Sequence, residues 1–185
     1  MYFYTCYKIF VEFMVGKAAI LANKKIIKNQ VIFIFYKWGK NSQLDTNLFI
    51  YLIEKNRTYF PLVKSLFEKI QKGQLYGVTS SLVYTELLSK PFQEENIVLV
   101  NKYKVLLATF PNLIIKEVDK DIATLAAKLC AKYKIKTPDA IFIATGIAEK
   151  AQIFITNDTR LKIVNEISII ILDELLNQTD RVIID

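Results

Sequence analysis

The chain contains no histidine. That absence removes histidine general bases, Ser-His-Asp arrangements and zinc sites built on imidazole. Cysteine is almost as scarce. The two present, Cys6 and Cys130, lie far apart, so there is no disulfide framework and no cysteine pair at metal-ligand spacing. A reducing cytoplasm is the expected compartment. Glycine and proline number five and four, and no low-complexity tract or internal repeat is present. No apolar run reaches the roughly 18 residues of a membrane span. The extreme N-terminus has no charge cluster and no clean cleavage site, so it fits a signal peptide poorly. With nitrogen and sulfur ligands gone, any metal site has to be built from oxygen, which favours Mg²⁺ or Mn²⁺.

What is present is enough for a real core. The 185 residues are 52% hydrophobic, with 12 Phe and 10 Tyr. That suits one domain of ordinary size, or one domain with an extension. The net charge of +7 invites a nucleic-acid reading, but its distribution weakens it. Residues 1–43 hold seven lysines and a single acid, Glu12; the remainder is nearly balanced, with 18 basic and 17 acidic residues. The expected organisation is a basic, apolar N-terminal extension over 1–42, a catalytic-type domain over 43–176 and a tail over 177–185. Two accounts of the extension stand: a helix and strand packed on the sheet or on a membrane surface, or a translation start further down, Met14 being the only internal methionine.

From Gln43 onward, strand and helix signals alternate. A short strand ends at Leu44-Asp45, with VIFIF (31–35) as a more strand-like run lying several residues too early. A helix follows over NLFIYLIEK. A second starts near Pro61 and stops at Gly73. QLYGVTS reads as a strand, and SSLVYTELLSK as a helix ending before Pro91. A helical run leads from Glu95 to Phe110, NLIIKEV is a strand, and Asp119 caps a long helix. Thr137 caps the next helix, with Pro138 in first place and Asp139 in the first turn. AQIFIT and SIIIL are apolar strands. Alternation with apolar strands predicts an α/β three-layer sandwich with a mostly parallel central sheet.

Four acids fall where such a sheet could gather them. Asp45 and Asp158 each follow a strand, and ligands bind beyond the carboxyl ends of parallel strands. Asp139 opens a helix, where free N–H groups favour negative charge. Glu86 lies in an apolar helical run, where a lone carboxylate is costly without a partner. Singly, each has a plain role: a cap, an N-terminal charge, a surface acid, a turn residue. Together, they would repel one another unless a cation sat between them. Metal-assisted attack on a phosphodiester is the natural chemistry.

The stretches LDTNLFIYLIE, VTSSLVYTELLSKP, KTPDAIFIATGIAEKA and IFITNDTRL resemble, in order, the four acidic motifs of the PIN domain nucleases, over about residues 43–176. The resemblance implies that Asp45, Glu86, Asp139 and Asp158 form the catalytic metal site. Thr46, Asn47 and Thr156 would support it or touch phosphate, and Lys136 and Arg160 would meet the RNA backbone. It further implies a PIN-like fold and an Mg²⁺- or Mn²⁺-dependent endoribonuclease of the toxin type found in type II toxin–antitoxin pairs. The implied partners are an RNA substrate, a small antitoxin protein and a second copy of the chain in a homodimer. Alternatives are a PIN-like nuclease in RNA processing or on DNA without an antitoxin, a non-catalytic nucleic-acid or protein-binding module, and a phosphatase. The departure from the family lies at the start, where GKNSQ stands in place of an apolar first strand.

Overall fold

GKNSQ does supply the first strand. In the computed structural model, which describes residues 40–181, β1 is Asn41–Leu44, only four residues long, and its Ser42 and Gln43 are buried. A polar run serves as a central strand because backbone pairing on both sides, not side-chain hydrophobicity, fixes it. Asn41–Gln43 pair in parallel with Tyr76–Val78 of β2 (Tyr76–Ser80), and Ser42–Leu44 with Ile153–Ile155 of β4 (Ile153–Thr156). VIFIF and the extension up to Gly39 lie outside the described residues, as do 182–185.

The sheet has five strands in the order β3-β2-β1-β4-β5, all parallel, with β3 at Leu113–Lys116 and β5 at Ser168–Ile171. Helices α1 (Thr46–Ile53) and α2 (Phe60–Gln71) carry the chain from β1 to β2; α3 (Leu82–Gln93) and α4 (Ile97–Thr109) carry it to β3. Helices α5 (Lys120–Tyr133) and α6 (Thr137–Ala148) return it to β4, and α7 (Leu172–Arg181) follows β5. Right-handed crossovers place α1–α4 on one face and α5–α6 on the other, giving three layers. The direction of travel reverses between β1 and β4, so the switch point lies at the carboxyl ends of those two strands.

The core is apolar and continuous, with Leu44, Phe49, Phe67, Phe142 and Phe154 buried. Phe67 meets Phe49 and Phe110 edge-on, with ring centroids 5.4 and 5.2 Å apart. Gly146 of α6 is needed for close approach: a Cβ there would lie 2.9 Å from the Gln43 Cβ.

Three local expectations shift. Helix α3 does not end before Pro91 but runs to Gln93. Pro91 sits in the last turn, so the one missing N–H costs little, and its own carbonyl accepts from Asn96 N at 2.8 Å. Helix α6 starts at Thr137 itself, with Lys136 at the preceding position and no side-chain cap, which puts Pro138 and Asp139 both in the first turn. Glu86, expected on a buried stretch, is exposed on α3. Asp119 caps α5 as expected, accepting from the backbone N–H of Asp121 and Ile122, and Gly73 follows α2 with φ +67°.

Candidate metal centre at the carboxyl edge

Asp45 is held from several sides. Its backbone N–H donates to Ile155 O of β4 at 3.1 Å, which fixes it beside the end of that strand. Its carboxylate accepts from Thr46 N at 2.7 Å, from Asn47 Nδ2 at 2.9 Å and from Thr156 Oγ1. Thr156 in turn accepts from Asp158 N at 3.0 Å, so β4 and the turn after it are tied to the same acid. Behind it, Thr79 Oγ1 of β2 donates to Leu44 O at 3.1 Å. The Thr46 hydroxyl donates to Glu86 Oε2, which joins α3 to the start of α1. Thr46 thus links Asp45 to Glu86 and Thr156 links it to Asp158, while Asn47 holds Asp45 alone.

The electrostatics divide the four acids. Burial pushes the Asp45 carboxyl up from 3.8 to about 6; hydrogen bonds from Thr156 and Thr46 oppose this, and the charges of Glu86 and Asp139 add to it. Asp139, half-buried, is also raised, first by burial and then by the charge of Asp158, against the pull of Arg160 and Lys136. Its carboxyl takes no hydrogen bond from the described residues. Asp158 moves the other way. Arg160 donates to it through Nε at 2.9 and 3.0 Å, through its backbone N at 2.9 Å and through Nη2, and this holds Asp158 below the usual carboxylate range. Lys136 forms no ion pair among the described residues.

The four acids are thus coupled through their charges in the order Glu86, Asp45, Asp139, Asp158, a row in the electrostatic sense. No three acids among the described residues stand close enough to hold one ion between them. The donor chemistry nevertheless suits a hard cation: all-oxygen ligands, two carboxyls driven toward protonation by burial and then by neighbouring acids, and a buried Asn47 Oδ1 with no partner. Gln43, two residues before Asp45 and absent from the motifs, is fully buried with both amide atoms unpartnered. The signal was there: a glutamine in a strand next to an acid. Asn157 is a second residue to which the motifs give no role: its Oδ1 accepts from Asp173 N at 3.1 Å and ties β4 to the start of α7.

A parallel α/β sheet with acids gathered at its switch point defines the class. The chain belongs to the PIN domain family, whose profile matches residues 43–167. No curated protein matches it. The fold is similar to a toxin–antitoxin complex from Klebsiella pneumoniae, at 20% identity and TM-score 0.55, covering 72% of this chain and 98% of that one. It is similar to VapBC2 from Rickettsia felis bound to a promoter DNA fragment, at 19% identity and TM-score 0.55, covering 70% and 97%. VapBC-1 from nontypeable Haemophilus influenzae matches at 20% identity and TM-score 0.53, covering 72% and 98%. At such identities, the likeness concerns the fold.

Proposed function

We propose that the protein is a metal-dependent endoribonuclease acting as the toxin of a toxin–antitoxin pair. The observation that carries the reading is the under-compensated charge of Asp45 and Asp139 at the switch point of a PIN fold. Asp45 and Asp139 would hold Mg²⁺ or Mn²⁺ between them, with Glu86 and, from its pair with Arg160, Asp158 acting on the ion from further off. When bound, such an ion supplies positive charge to a phosphate oxygen and makes nearby water a better acid. The chain's own groups do the rest. Thr46, Asn47 and Thr156 fix the Asp45 carboxylate so that its oxygens do not swing away when charge changes nearby. Asp139, lacking a hydrogen-bond partner among the described residues, is the acid freest to accept a proton from an attacking water. Lys136 and Arg160 flank the row and attract the RNA backbone.

The antitoxin reading is supported by the similar structure from Klebsiella pneumoniae, a toxin–antitoxin complex. A homodimer would not rest on the main apolar residues of α1 and α2, because Leu48, Phe49, Leu62, Val63, Leu66 and Phe67 are spent in the core. Exposed apolar residues sit instead on α4, at Ile97, Val98 and Val105. No helix of the described residues is long and apolar enough to cross a membrane. The first strand starts at Asn41 and the family match at residue 43, so on this reading a chain lacking residues 1–38 keeps cleavage within about tenfold of the full-length rate, roughly 1.4 kcal/mol in barrier. Incubating purified protein with total RNA, with Mg²⁺, Mn²⁺ or chelator, tests the reading. An RNA-processing or DNA-directed nuclease would cut without harming cells that lack an antitoxin.

A further inference from the structure

One cluster beside the acids has no part in holding them. The turn between α1 and α2 folds back on itself through Asn56. Its backbone N–H donates to Tyr51 O at 3.1 Å, and its Oδ1 accepts from Thr58 N at 3.0 Å and Tyr59 N at 3.2 Å. That turn lays the rings of Tyr51 and Tyr59 on each other, with centroids 4.4 Å apart and planes 19° from parallel. Tyr59 OH then donates to Asp173 Oδ1 at 2.7 Å, and Asp173 N donates to Asn157 Oδ1. Asn157 sits between Thr156, which touches Asp45, and Asp158. The aromatic pair is thus linked by one short chain of hydrogen bonds to the end of β4 where the acids lie.

We infer that the Tyr51–Tyr59 pair is a stacking platform for one nucleobase of a single-stranded nucleic acid whose backbone crosses the acidic row. The inference rests on the nuclease reading above. Three features favour it over simple covering of the core. Both rings are half-buried, so each keeps part of its surface in solvent. The Tyr59 hydroxyl is keyed in place, which a purely apolar contact would not need. Exposed Arg57 lies between the two tyrosines in sequence and forms no ion pair among the described residues, leaving a cation to meet a phosphate. An aromatic face beside a free cation is what single-strand binding uses, because every base has a face to stack and every nucleotide a phosphate. Tyr51 and Tyr59 are binding residues on this account and take no part in the chemistry.

The test holds the full chain in chelator and measures binding of a short single-stranded RNA in which an abasic unit is walked along the strand. One position should cost about tenfold in affinity, the size of one lost stack. That cost should vanish in Tyr51→Leu and Tyr59→Leu and persist in Tyr59→Phe, which keeps the ring. Arg57→Gln should weaken every member of the series alike and make the salt dependence shallower by about one. If no position costs more than about twofold, the platform is refuted. It is also refuted if the cost survives in both leucine variants. Should the leucine variants fail to fold by circular dichroism, the abasic walk on the unmodified chain and the Arg57→Gln comparison decide the matter. A parallel sample with Mg²⁺ separates the two readings. Cleavage without position-dependent binding removes only the platform, and position-dependent binding without cleavage removes only the nuclease.

Discussion

The two ends of the acidic row are solved in opposite ways. At one end, Asp158 carries its own cation: Arg160, two residues on, grips both carboxylate oxygens. Toward the other end, flanked on both sides, Asp45 has hydroxyl, amide and backbone donors but no positive side chain, and its neighbours Glu86 and Asp139 are acids. Hydrogen bonds orient a carboxylate; they do not cancel its charge once it is desolvated beside others. The comparison teaches where the missing charge belongs, between Asp45 and Asp139, and where it is already supplied.

The sharpest way to break that contrast is at Thr156, which joins the two ends. Thr156→Val removes the hydroxyl that donates to Asp45 and accepts from Asp158 N. Cleavage should fall about tenfold to a hundredfold, as for other groups that orient metal-binding carboxylates. An unchanged rate would mean that Asp45 does not need to be held.

Gly146→Ala probes the packing beneath the same acid. The added Cβ meets Gln43 Cβ at 2.9 Å in a buried contact on a central strand. Overpacking of this kind costs about 1–3 kcal/mol, read from denaturant midpoints. Activity should fall along with stability, because β1 carries Asp45.

The pH dependence of the metal-free protein separates the two ends by sign. The Asp45 carboxyl is pushed by burial from the ordinary 3.8 of a solvated aspartate, its value in the unfolded chain, to about 6 in the fold. The folded state therefore holds that proton more tightly, and the stability it contributes is present below about 4 and lost as pH rises through about 6. Asp139 acts in the same direction. Asp158, held low by Arg160, acts in the opposite direction: its contribution is present above the ordinary aspartate value and lost as pH falls below it. Thermal midpoints in chelator should decline between about pH 4 and 6. The decline should flatten in Asp45→Asn, and millimolar Mg²⁺ should reduce it by supplying the missing charge.

The smallest effect is expected at Arg160→Gln. The pair is exposed on the arginine side, and such pairs add little to stability. The thermal midpoint should hardly move, whereas RNA binding in chelator should lose about one unit of salt slope if Arg160 also meets phosphate.

Much of this was legible because it is local. Asp45-Thr46-Asn47, Pro138-Asp139 and Thr156-Asn157-Asp158 are strand-end and helix-start signals, and their meaning depends on a few neighbouring residues. Asp119 capping α5 and the stop at Gly73 are of the same kind. Parallel pairing was legible from the apolar runs at Ile153–Thr156 and Ser168–Ile171. The illegible parts depend on distant partners. β1 is polar, and only its neighbours β2 and β4 make it a strand. Glu86 looked buried because the helix around it is apolar, yet its own side faces solvent while Thr46, forty residues earlier, reaches it. The grip of Arg160 on Asp158 depends on the short 3₁₀ turn at Thr159–Ile163, which composition does not announce.

The central claim is that Asp45 and Asp139 bracket a cation that RNA cleavage requires. The direct measurement compares the full-length protein with Asp139→Asn on labelled RNA in Mg²⁺, in Mn²⁺ and in chelator, with thermal midpoints taken on the same samples. The account predicts cleavage by the unmodified chain in metal alone. It predicts a loss of about a hundredfold or more in the variant. It also predicts that the variant's midpoint in chelator is equal to or above that of the unmodified chain, because one uncompensated charge is gone. Cleavage that survives chelator, or a folded Asp139→Asn protein that cuts at the unmodified rate, would contradict it.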